Sequence, residues 1–385
     1  MRYGLAYSSW DDAELAAIRR VMDSGNYTMG RQVAAFEAAF ARYLGARHCV
    51  MVNSGSSANL LMVAALFFRR ERPLARGDEV VVPAVSWPTT YYPLQQYGLR
   101  IRFVDIDRET LNFDLDALAA AITPRTRLVF AVNLLGNAND YDAIGRLLRG
   151  RDILLLEDNC EALGGEWGGR KLGTFGLAGS FSTFFSHHMS TMEGGVVATD
   201  DDEMHQLLLS LRSHGWTRHL PQENLLCRKS DDPFEESFRF ILPGYNVRPT
   251  EMSGAVGLEQ LKKLPAFIEA RRRNAAHFLG LFRDDSRFIV QRELGRSSWF
   301  GFSLLVRDPS LDRKAIVRRL AEAQIDTRPI VAGNFARKEV VRWLDCEIPA
   351  ALPNADFVDA RGFFVGNHQF DIRAQLDYLR NVLDA

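Results

Sequence analysis

The loop Ser182-Thr183-Phe184-Phe185-Ser186-His187-His188-Met189-Ser190-Thr191-Met192-Glu193-Gly194-Gly195 carries the most informative residues of this chain. Strand-like apolar stretches over residues 180–185 and 195–199 flank it, so the sequence predicts a strand–loop–strand unit. An imidazole in this loop can move protons near neutral pH. A histidine pair among Ser and Thr residues can also lie at the surface or bind a metal. Metal binding is disfavoured because no Asp, Glu or Cys stands beside the pair at ligand spacing, although ligands from distant segments can converge.

Short apolar runs alternate with helical patterns through the first two-thirds of the chain. The runs are residues 49–52, 79–82, 101–104, 128–132 and 153–156, and the helical patterns include 31–44, 59–69 and 115–121. This alternation predicts an α/β domain with a mainly parallel sheet and helices on both faces.

The last third of the chain has a different pattern. A polar stretch over residues 217–236 ends at Pro243-Gly244, and loops of this length often form active-site flaps, here about 217–245. One or two long helices are predicted over 251–282. Beyond them, a strand-like run at 299–306 and helical patterns at 313–323 and 373–384 indicate a smaller α+β domain. We therefore predict a large α/β domain over residues 1–275 and a small C-terminal α+β domain over 276–385.

Composition excludes several classes of protein. The 385 residues are 47% hydrophobic and 25% charged, which suits a large core and about two domains. The net charge of −1, with no long basic run, makes nucleic acid and anionic membrane poor partners. No stretch reaches the ~18 apolar residues of a membrane span, and the N-terminus has no signal core.

The four cysteines are scattered along the chain, and no CxxC pair occurs. They are Cys49, Cys160, Cys227 and Cys346. This spacing fits reduced thiols in the cytoplasm and argues against an iron–sulfur cluster or a zinc site.

A candidate anion site lies between a predicted strand and a predicted helix. Its sequence is Asn53-Ser54-Gly55-Ser56-Ser57-Ala58-Asn59. Small residues there let backbone N–H groups and hydroxyls converge on an anion at the helix N-terminus. An ordinary serine-rich N-cap explains the same pattern, and the segment alone does not separate the two interpretations.

Three further residues stand at ends of predicted elements. Asp158 closes an apolar strand, where a parallel sheet places its ligand site, and an Asp there can keep a pyridine nitrogen protonated. Trp87 follows another strand and could stack on a flat cofactor ring. The alternatives are a capping or loop Asp and a core Trp. His214, before Gly215, ends a helix, where a histidine often simply caps the C-terminus.

Taken in order along the chain, these segments resemble the fold type I pyridoxal-phosphate sugar aminotransferases almost end to end. The resemblance extends to Gly-Tyr-Asn-Val-Arg at 244–248, Val-Asp-Ile-Asp at 104–107 and EMSGAVGLEQLKKL at 251–264. It implies an aspartate-aminotransferase-like large domain. Those enzymes carry a lysine at the position of His187, and an imidazole cannot form the covalent bond by which that lysine holds the aldehyde cofactor. The exchange points away from amino transfer and toward elimination.

Within this family the chain most resembles enzymes that remove the C3 hydroxyl group from a GDP-linked 4-keto-6-deoxymannose. The matching segments are HHMSTMEGG, RSHGW, KSDDPFEESF, LPGYNVRP, SSWFGFS, RPIVAGNF and FFVGNHQ. The resemblance implies non-covalent pyridoxamine or pyridoxal phosphate as the cofactor, a GDP-sugar as the substrate and L-glutamate as the amino donor. It also implies no iron–sulfur cluster, because the closely spaced cysteines of the iron–sulfur-dependent 3-dehydratases are missing. A nucleotide-sugar 4-aminotransferase and a non-catalytic regulator of the same fold stay open as alternatives.

The resemblance assigns cofactor contacts to seven residues of this chain. Asp158 would pair with the pyridine nitrogen, Trp87 would stack on the ring and Glu161 would approach the ring hydroxyl. The phosphate would be held by Gly55, Ser56, Ser182 and, from the other subunit, Asn246.

The resemblance also implies roles around the substrate. His187 would be the catalytic base, and His214 would assist near the substrate or cofactor. Arg328 would bind substrate, and the sugar nucleotide would lie near Met29 and Gly30 under the flap. Since Asn246 would reach the partner's cofactor, a homodimer with shared active sites is the expected assembly.

Overall fold

Strands and helices alternate through the first two hundred residues of the computed structural model, which describes all residues from Met1 to Ala385. The strands are β1 (His48–Val52), β2 (Glu79–Pro83), β3 (Arg100–Val104), β4 (Thr126–Val132), β5 (Leu154–Asp158), β6 (Glu166–Trp167), β7 (Arg170–Lys171), β8 (Ala178–Ser182), β9 (Gly195–Thr199), β10 (Phe288–Val290), β11 (Gly301–Val306), β12 (Cys346–Glu347) and β13 (Gly362–Gly366). The helices are α1 (Asp12–Ser24), α2 (Arg31–Leu44), α3 (Gly55–Leu66), α4 (Pro88–Gln96), α5 (Leu115–Ala121), α6 (Tyr141–Leu148), α7 (Asp202–Leu211), α8 (Pro233–Ser237), α9 (Glu251–Phe282), α10 (Arg313–Glu322), α11 (Pro353–Arg361) and α12 (Arg373–Asp384). Short 3₁₀ turns lie at Leu134–Gly136, Phe335–Arg337 and Glu339–Trp343.

Eight strands form the central sheet, in the order β1-β9-β8-β5-β4-β2-β3-β12. The pairs from β8 to β12 are parallel, whereas β9 runs against both of its neighbours. The reason is local: β8 and β9 are joined by the histidine loop alone, without the crossover that a parallel pair needs. The predicted α/β fold with a mainly parallel sheet is confirmed. Because β1 is parallel to β8, the carboxyl ends of β1, β2, β4, β5 and β8 meet at one edge.

Helices cover both faces of this sheet. The apolar faces of α3, α4 and α7 pack into the largest buried core, and α5 and α6 pack into another. Side chains of α2 and α9 bury a further core against β1, β8 and β9. Each strand therefore has apolar residues on both sides, as expected of a sheet between two helical layers.

A second sheet, in the order β10-β11-β13, is antiparallel and packs with α10 and α12 around a separate core. Two segments pack with the domain on the other side of the predicted boundary at residue 275. Tyr3 is buried in this second core, and β12 joins the edge of the central sheet. The continuous helix α9 links the two cores, so residues 251–282, predicted to form one or two helices, form a single helix.

The polar stretch after α7 forms a loop that contains only α8. The backbone of Thr217 donates to the carbonyl of Arg239, so the ends of this loop lie together. Phe234 in α8 is 87% exposed, and the side chains of Phe238 and Phe240 are also exposed. None of the helices combines the length and apolar character that a membrane crossing requires.

Candidate active site

A cavity of about 350 Å³ opens at the edge where the carboxyl ends of the parallel strands meet. Of the twelve residues singled out from the sequence, seven line this cavity: Gly55, Ser56, Trp87, Asp158, Glu161, Ser182 and His187. They come from four strand ends that are far apart in sequence. The topology therefore brings them together, as expected for a ligand site in a parallel α/β sheet.

One end of the cavity is an anion cradle. Ser54 caps α3, and its hydroxyl accepts from the backbone N–H of Ser57 at 3.1 Å. The backbone N–H groups of Gly55 and Ser56, at the start of α3, have no partner within the helix, so they are available to a negatively charged group. Ser56 donates to the hydroxyl of Thr89 at 3.0 Å, which places a second element beside the cradle.

Gly55 is required by close packing rather than by backbone conformation. A Cβ atom at this position would lie 2.7 Å from the Sγ atom of Cys160 and 2.8 Å from the Cβ atom of Ser182. The start of α3 thus sits directly on the ends of β5 and β8. A larger residue would push these three segments apart at the cavity wall.

Asp158 is held by donors from three segments. Its Oδ2 atom accepts from Asn59 Nδ2 and from Thr90 Oγ1, both at 2.8 Å, and its Oδ1 atom accepts from the backbone of Cys160 at 3.1 Å. The side chain is 5% exposed and borders the cavity. These contacts fix the carboxylate toward the cavity, so Asp158 is more than a local helix cap or loop residue.

Trp87 caps α4 with an extended backbone, and its indole is 58% exposed. The alternative of a core tryptophan is therefore wrong for this residue. An exposed indole on a cavity wall can stack on a flat ring, and burial of its surface on binding would be favourable.

Glu161 follows Asp158 by three residues and accepts at Oε2 from the backbone of Leu135 at 3.1 Å. Burial, and secondarily the negative charge of Asp158, raise the pKa of Glu161 to about 7, against the opposing effect of that backbone hydrogen bond. At neutral pH about half of this carboxyl group is protonated. In its protonated form it can donate a hydrogen bond to an oxygen in the cavity.

His187 borders the same cavity, half-buried, with its ring edge-on to Phe184 and Phe300. Its Nδ1 atom is buried and has no hydrogen-bond partner within the chain. Burial, and secondarily the positive charge of Arg271, lower the pKa of His187 to about 3. The sequence suggested an unshifted imidazole, and the shift arises because buried positive charge is costly. His187 is therefore neutral at pH 7.

The neighbouring His188 is buried and does not border the cavity. Its Nε2 atom lies 3.2 Å from the carbonyl oxygen of Ser298, which makes Nε2 the donor. Burial lowers its pKa well below the usual value. The two histidines of the loop thus have different surroundings, and His187 is the one that can meet a ligand.

Five predicted residues do not border the cavity within one chain: Met29, Gly30, His214, Asn246 and Arg328. Gly30 donates to Glu251 at 2.7 Å at the start of α2, where Met29 packs beside a core. His214 is exposed, with φ of 62°, and its backbone donates to Tyr245. Asn246 pairs with Ser213, and the exposed Arg328 pairs with Phe364. Their roles stay predictions.

Sequence reasoning missed the residues that support the site. Asn59 and Thr90 orient Asp158, and the positive charge of Arg271 acts on His187. Asn59 had a signal, because a lone amide in an otherwise apolar helix needs a buried partner. Thr90 and Arg271 had none, since their contacts depend on how distant elements pack.

The donor set of the cavity fits a flat heteroaromatic cofactor that carries a phosphate group. The helix start offers N–H and hydroxyl donors to the phosphate, Asp158 offers an anion to a ring nitrogen, and Trp87 offers a face. Fold and site together define an enzyme of the pyridoxal-phosphate, fold type I class. Residues 8–369 match the DegT/DnrJ/EryC1/StrS aminotransferase family, and the chain belongs to this family.

Individual relatives give a more specific comparison than the family as a whole. The chain is 56% identical to the GDP-4-keto-6-deoxy-D-mannose 3-dehydratase of Yersinia pseudotuberculosis, over all of this chain and 98% of the relative. It superposes with a TM-score of 0.98 and 54% identity on the Escherichia coli GDP-4-keto-6-deoxy-D-mannose 3-dehydratase with bound hydrated PLP, covering 100% and 99% of the two chains. Another solved GDP-4-keto-6-deoxymannose 3-dehydratase, with a trapped PLP–glutamate geminal diamine, also gives a TM-score of 0.98 at 54% identity, over 99% of this chain and 100% of that one.

Proposed function

We propose that this chain is a pyridoxamine-phosphate-dependent 3-dehydratase that acts on GDP-4-keto-6-deoxy-D-mannose. It removes the C3 hydroxyl group and leaves a 4-keto-3,6-dideoxy sugar. The observation that carries the proposal is the imidazole of His187 in the cavity wall, at the position where the aminotransferases of the family carry a lysine. An imidazole forms no covalent bond to the cofactor, and it can transfer protons instead.

The cofactor supplies an amine that condenses with the C4 ketone and a protonated ring that accepts electrons. Asp158 maintains the charge on the ring nitrogen, and Asn59 and Thr90 keep its carboxylate in place. Ser56, Ser182 and the N-terminus of α3 bind the phosphate. Trp87 would stack on the ring, and Glu161 would donate to or accept from the ring hydroxyl.

His187 moves the proton that the elimination requires. The neutral imidazole would accept a proton from the methylene carbon that carries the cofactor's amine and, as imidazolium, would give it to the departing C3 hydroxyl, which would leave as water. The low pKa of His187 makes it a weak base but a strong acid. We therefore expect the cavity to accelerate mainly the second proton transfer, from the imidazolium to the C3 hydroxyl, because a hydroxyl is a poor leaving group.

The remaining parts of the proposal concern the cycle and the assembly. L-glutamate restores the amine of the cofactor after each turnover. Asn246 reaches the phosphate in the partner subunit, so the enzyme works as a homodimer with shared active sites. His214, Arg328, Met29 and Gly30 approach the sugar nucleotide in that assembly. The four free cysteines support a cytoplasmic location.

Mass spectrometry of the nucleotide sugar tests the proposal. The purified chain is incubated with pyridoxamine phosphate, glutamate and GDP-4-keto-6-deoxy-D-mannose. Loss of the C3 oxygen with release of ammonia supports the dehydratase. An aminated sugar that keeps its C3 oxygen would show that the chain is a transferase. If the sugar is not converted at all, the substrate assignment is withdrawn.

A further inference from the structure

Arg271, in the middle of α9, is a buried cation without a counter-ion. Its side chain is 2% exposed, and its Nη1 atom donates to the carbonyl oxygens of Asn367 at 2.8 Å, Phe300 at 3.1 Å and Trp299 at 3.5 Å. No carboxylate forms an ion pair with it. Burial alone lowers the pKa of the guanidinium to about 10, so it stays charged at neutral pH. Buried, unpaired charges are costly and rarely kept for stability alone.

Arg271 binds the backbone of Trp299 and Phe300, and this segment packs against the histidine loop. Trp299 is buried with φ of 48°, a left-handed conformation that a bulky residue rarely adopts. The next residue, Phe300, places its ring 5.1 Å from the ring of His187 and 5.7 Å from that of His188. Its backbone N–H donates to Leu135, whose own N–H donates to Glu161. The segment therefore links Arg271 to the two titratable side chains of the cavity wall, His187 and Glu161.

Several titratable groups lie around His187. Asp158, Glu161 and Glu193 border the same cavity, but none of these carboxyl groups is a cause of the shifted pKa of His187. Cys160 also borders the cavity, and burial raises the pKa of its thiol, so it stays neutral. His188, in the same loop, is neutral as well. Arg271 is the charged group that, after burial, lowers the pKa of His187.

We propose that Arg271 is a positioning residue for His187. It clamps the Trp299–Phe300 backbone against the histidine loop and supplies a fixed positive charge behind the imidazole. In this way it adds to the effect of burial and makes His187 a strong proton donor after it has taken a proton. This role rests on the proposed function of His187, but its electrostatic part can be measured on the cofactor-free protein.

Two substitutions separate the charge from the hydrogen bonds. Arg271→Gln removes the charge but keeps an amide that can donate to a carbonyl, and Arg271→Lys keeps the charge. Arg272→Gln is the matched control. Arg272 also donates to backbone carbonyls, of Ser297 and Gly164 at 3.0 Å each, but it pairs with Glu269 at 2.9 Å and does not act on His187.

NMR of protein labelled with ¹³C at histidine Cε1 gives the first readout, with the His187 signal assigned from a His187→Asn variant. At pH 4.5 a pKa of about 3 leaves roughly 3% of the imidazole protonated in the parent. If Arg271→Gln raises the pKa by about one unit, as loss of one neighbouring charge allows, roughly a quarter is protonated. Arg271→Lys and Arg272→Gln should both match the parent.

Turnover gives the second readout. Arg271 does not border the cavity, so the KM for the nucleotide sugar should stay within about twofold in Arg271→Gln while kcat falls roughly fivefold, because a less acidic imidazolium protonates the leaving group less readily. An unchanged His187 signal in folded Arg271→Gln would overturn the proposal. If that variant does not fold, Arg271→Lys decides, and protonation well above the parent value there would overturn it. If the parent makes no deoxysugar at all, the proposed function fails, while the NMR result still tests the electrostatic role.

Discussion

His187 and Phe300 meet edge to face, with ring centroids 5.1 Å apart and ring planes at 63°. Phe300 precedes β11 of the C-terminal sheet, whereas His187 follows β8 of the central sheet. The contact therefore joins the two parts of the chain at the cavity wall. It also removes water from one side of the imidazole, and this burial is the main cause of the low pKa of His187.

Asp158→Asn should lower kcat by at least about 100-fold, because an amide does not supply the negative charge that stabilises a protonated ring. Affinity for pyridoxamine phosphate, measured by fluorescence titration, should fall as well. Asp140→Asn is the control, since Asp140 only caps α6 and Asn caps a helix equally well. A kcat close to that of the parent in Asp158→Asn would contradict the role given to this carboxylate.

Glu161 should make cofactor binding depend on pH around neutrality. With a pKa of about 7, its protonated fraction falls from roughly 0.9 at pH 6 to roughly 0.1 at pH 8. Only the protonated form can donate to the ring oxygen, so affinity for pyridoxamine phosphate should fall up to about tenfold over this range. Glu161→Gln keeps a donor at every pH and should flatten that slope. Equal slopes in calorimetric titrations of the two proteins would refute this use of Glu161.

Gly55→Ala should destabilise the chain by about 1–3 kcal/mol, since the added methyl group overlaps Cys160 and Ser182 at under 3 Å. It should also weaken phosphate binding by moving the start of α3. Gly145→Ala in α6 is the matched control, because a Cβ there meets nothing within 4 Å. That change should instead stabilise by about 0.5–1 kcal/mol. Urea unfolding measures both free energies, and equal effects would show that crowding at Gly55 is unimportant.

The candidate catalytic and cofactor-binding residues could be found from the sequence because they lie at the ends of strands. Gly55, Asp158, Ser182 and His187 each follow a short apolar run, and parallel strands bring such positions to one edge. The sequence also predicted two strands around the histidine loop, and the structure shows that they pair antiparallel, since the loop is too short to hold a crossover helix.

What the sequence could not show depends on packing between distant elements. Arg271 lies 84 positions after His187, on a helix whose pattern gives no sign that its charge is buried without a partner. The low pKa of His187 follows mainly from its own burial and secondarily from the charge of Arg271, and it could not be deduced from residue type. The positive φ of Trp299 was equally hidden, because no glycine marks the position. Residues such as His214 and Asn246 lie away from the cavity of their own chain, and only the expected dimer gives them a role.

The most direct test of the central claim compares the products of the parent and of His187→Lys in the same reaction mixture. The account predicts that the parent releases the 3-deoxy ketosugar, seen as loss of the C3 oxygen by mass spectrometry. In the variant the lysine amine should bind the aldehyde form of the cofactor covalently, leaving a protein mass increase after borohydride reduction, and deoxysugar formation should fall by at least about 100-fold. Deoxysugar formed by His187→Lys at the parent rate would contradict the claim that His187 makes this chain a dehydratase.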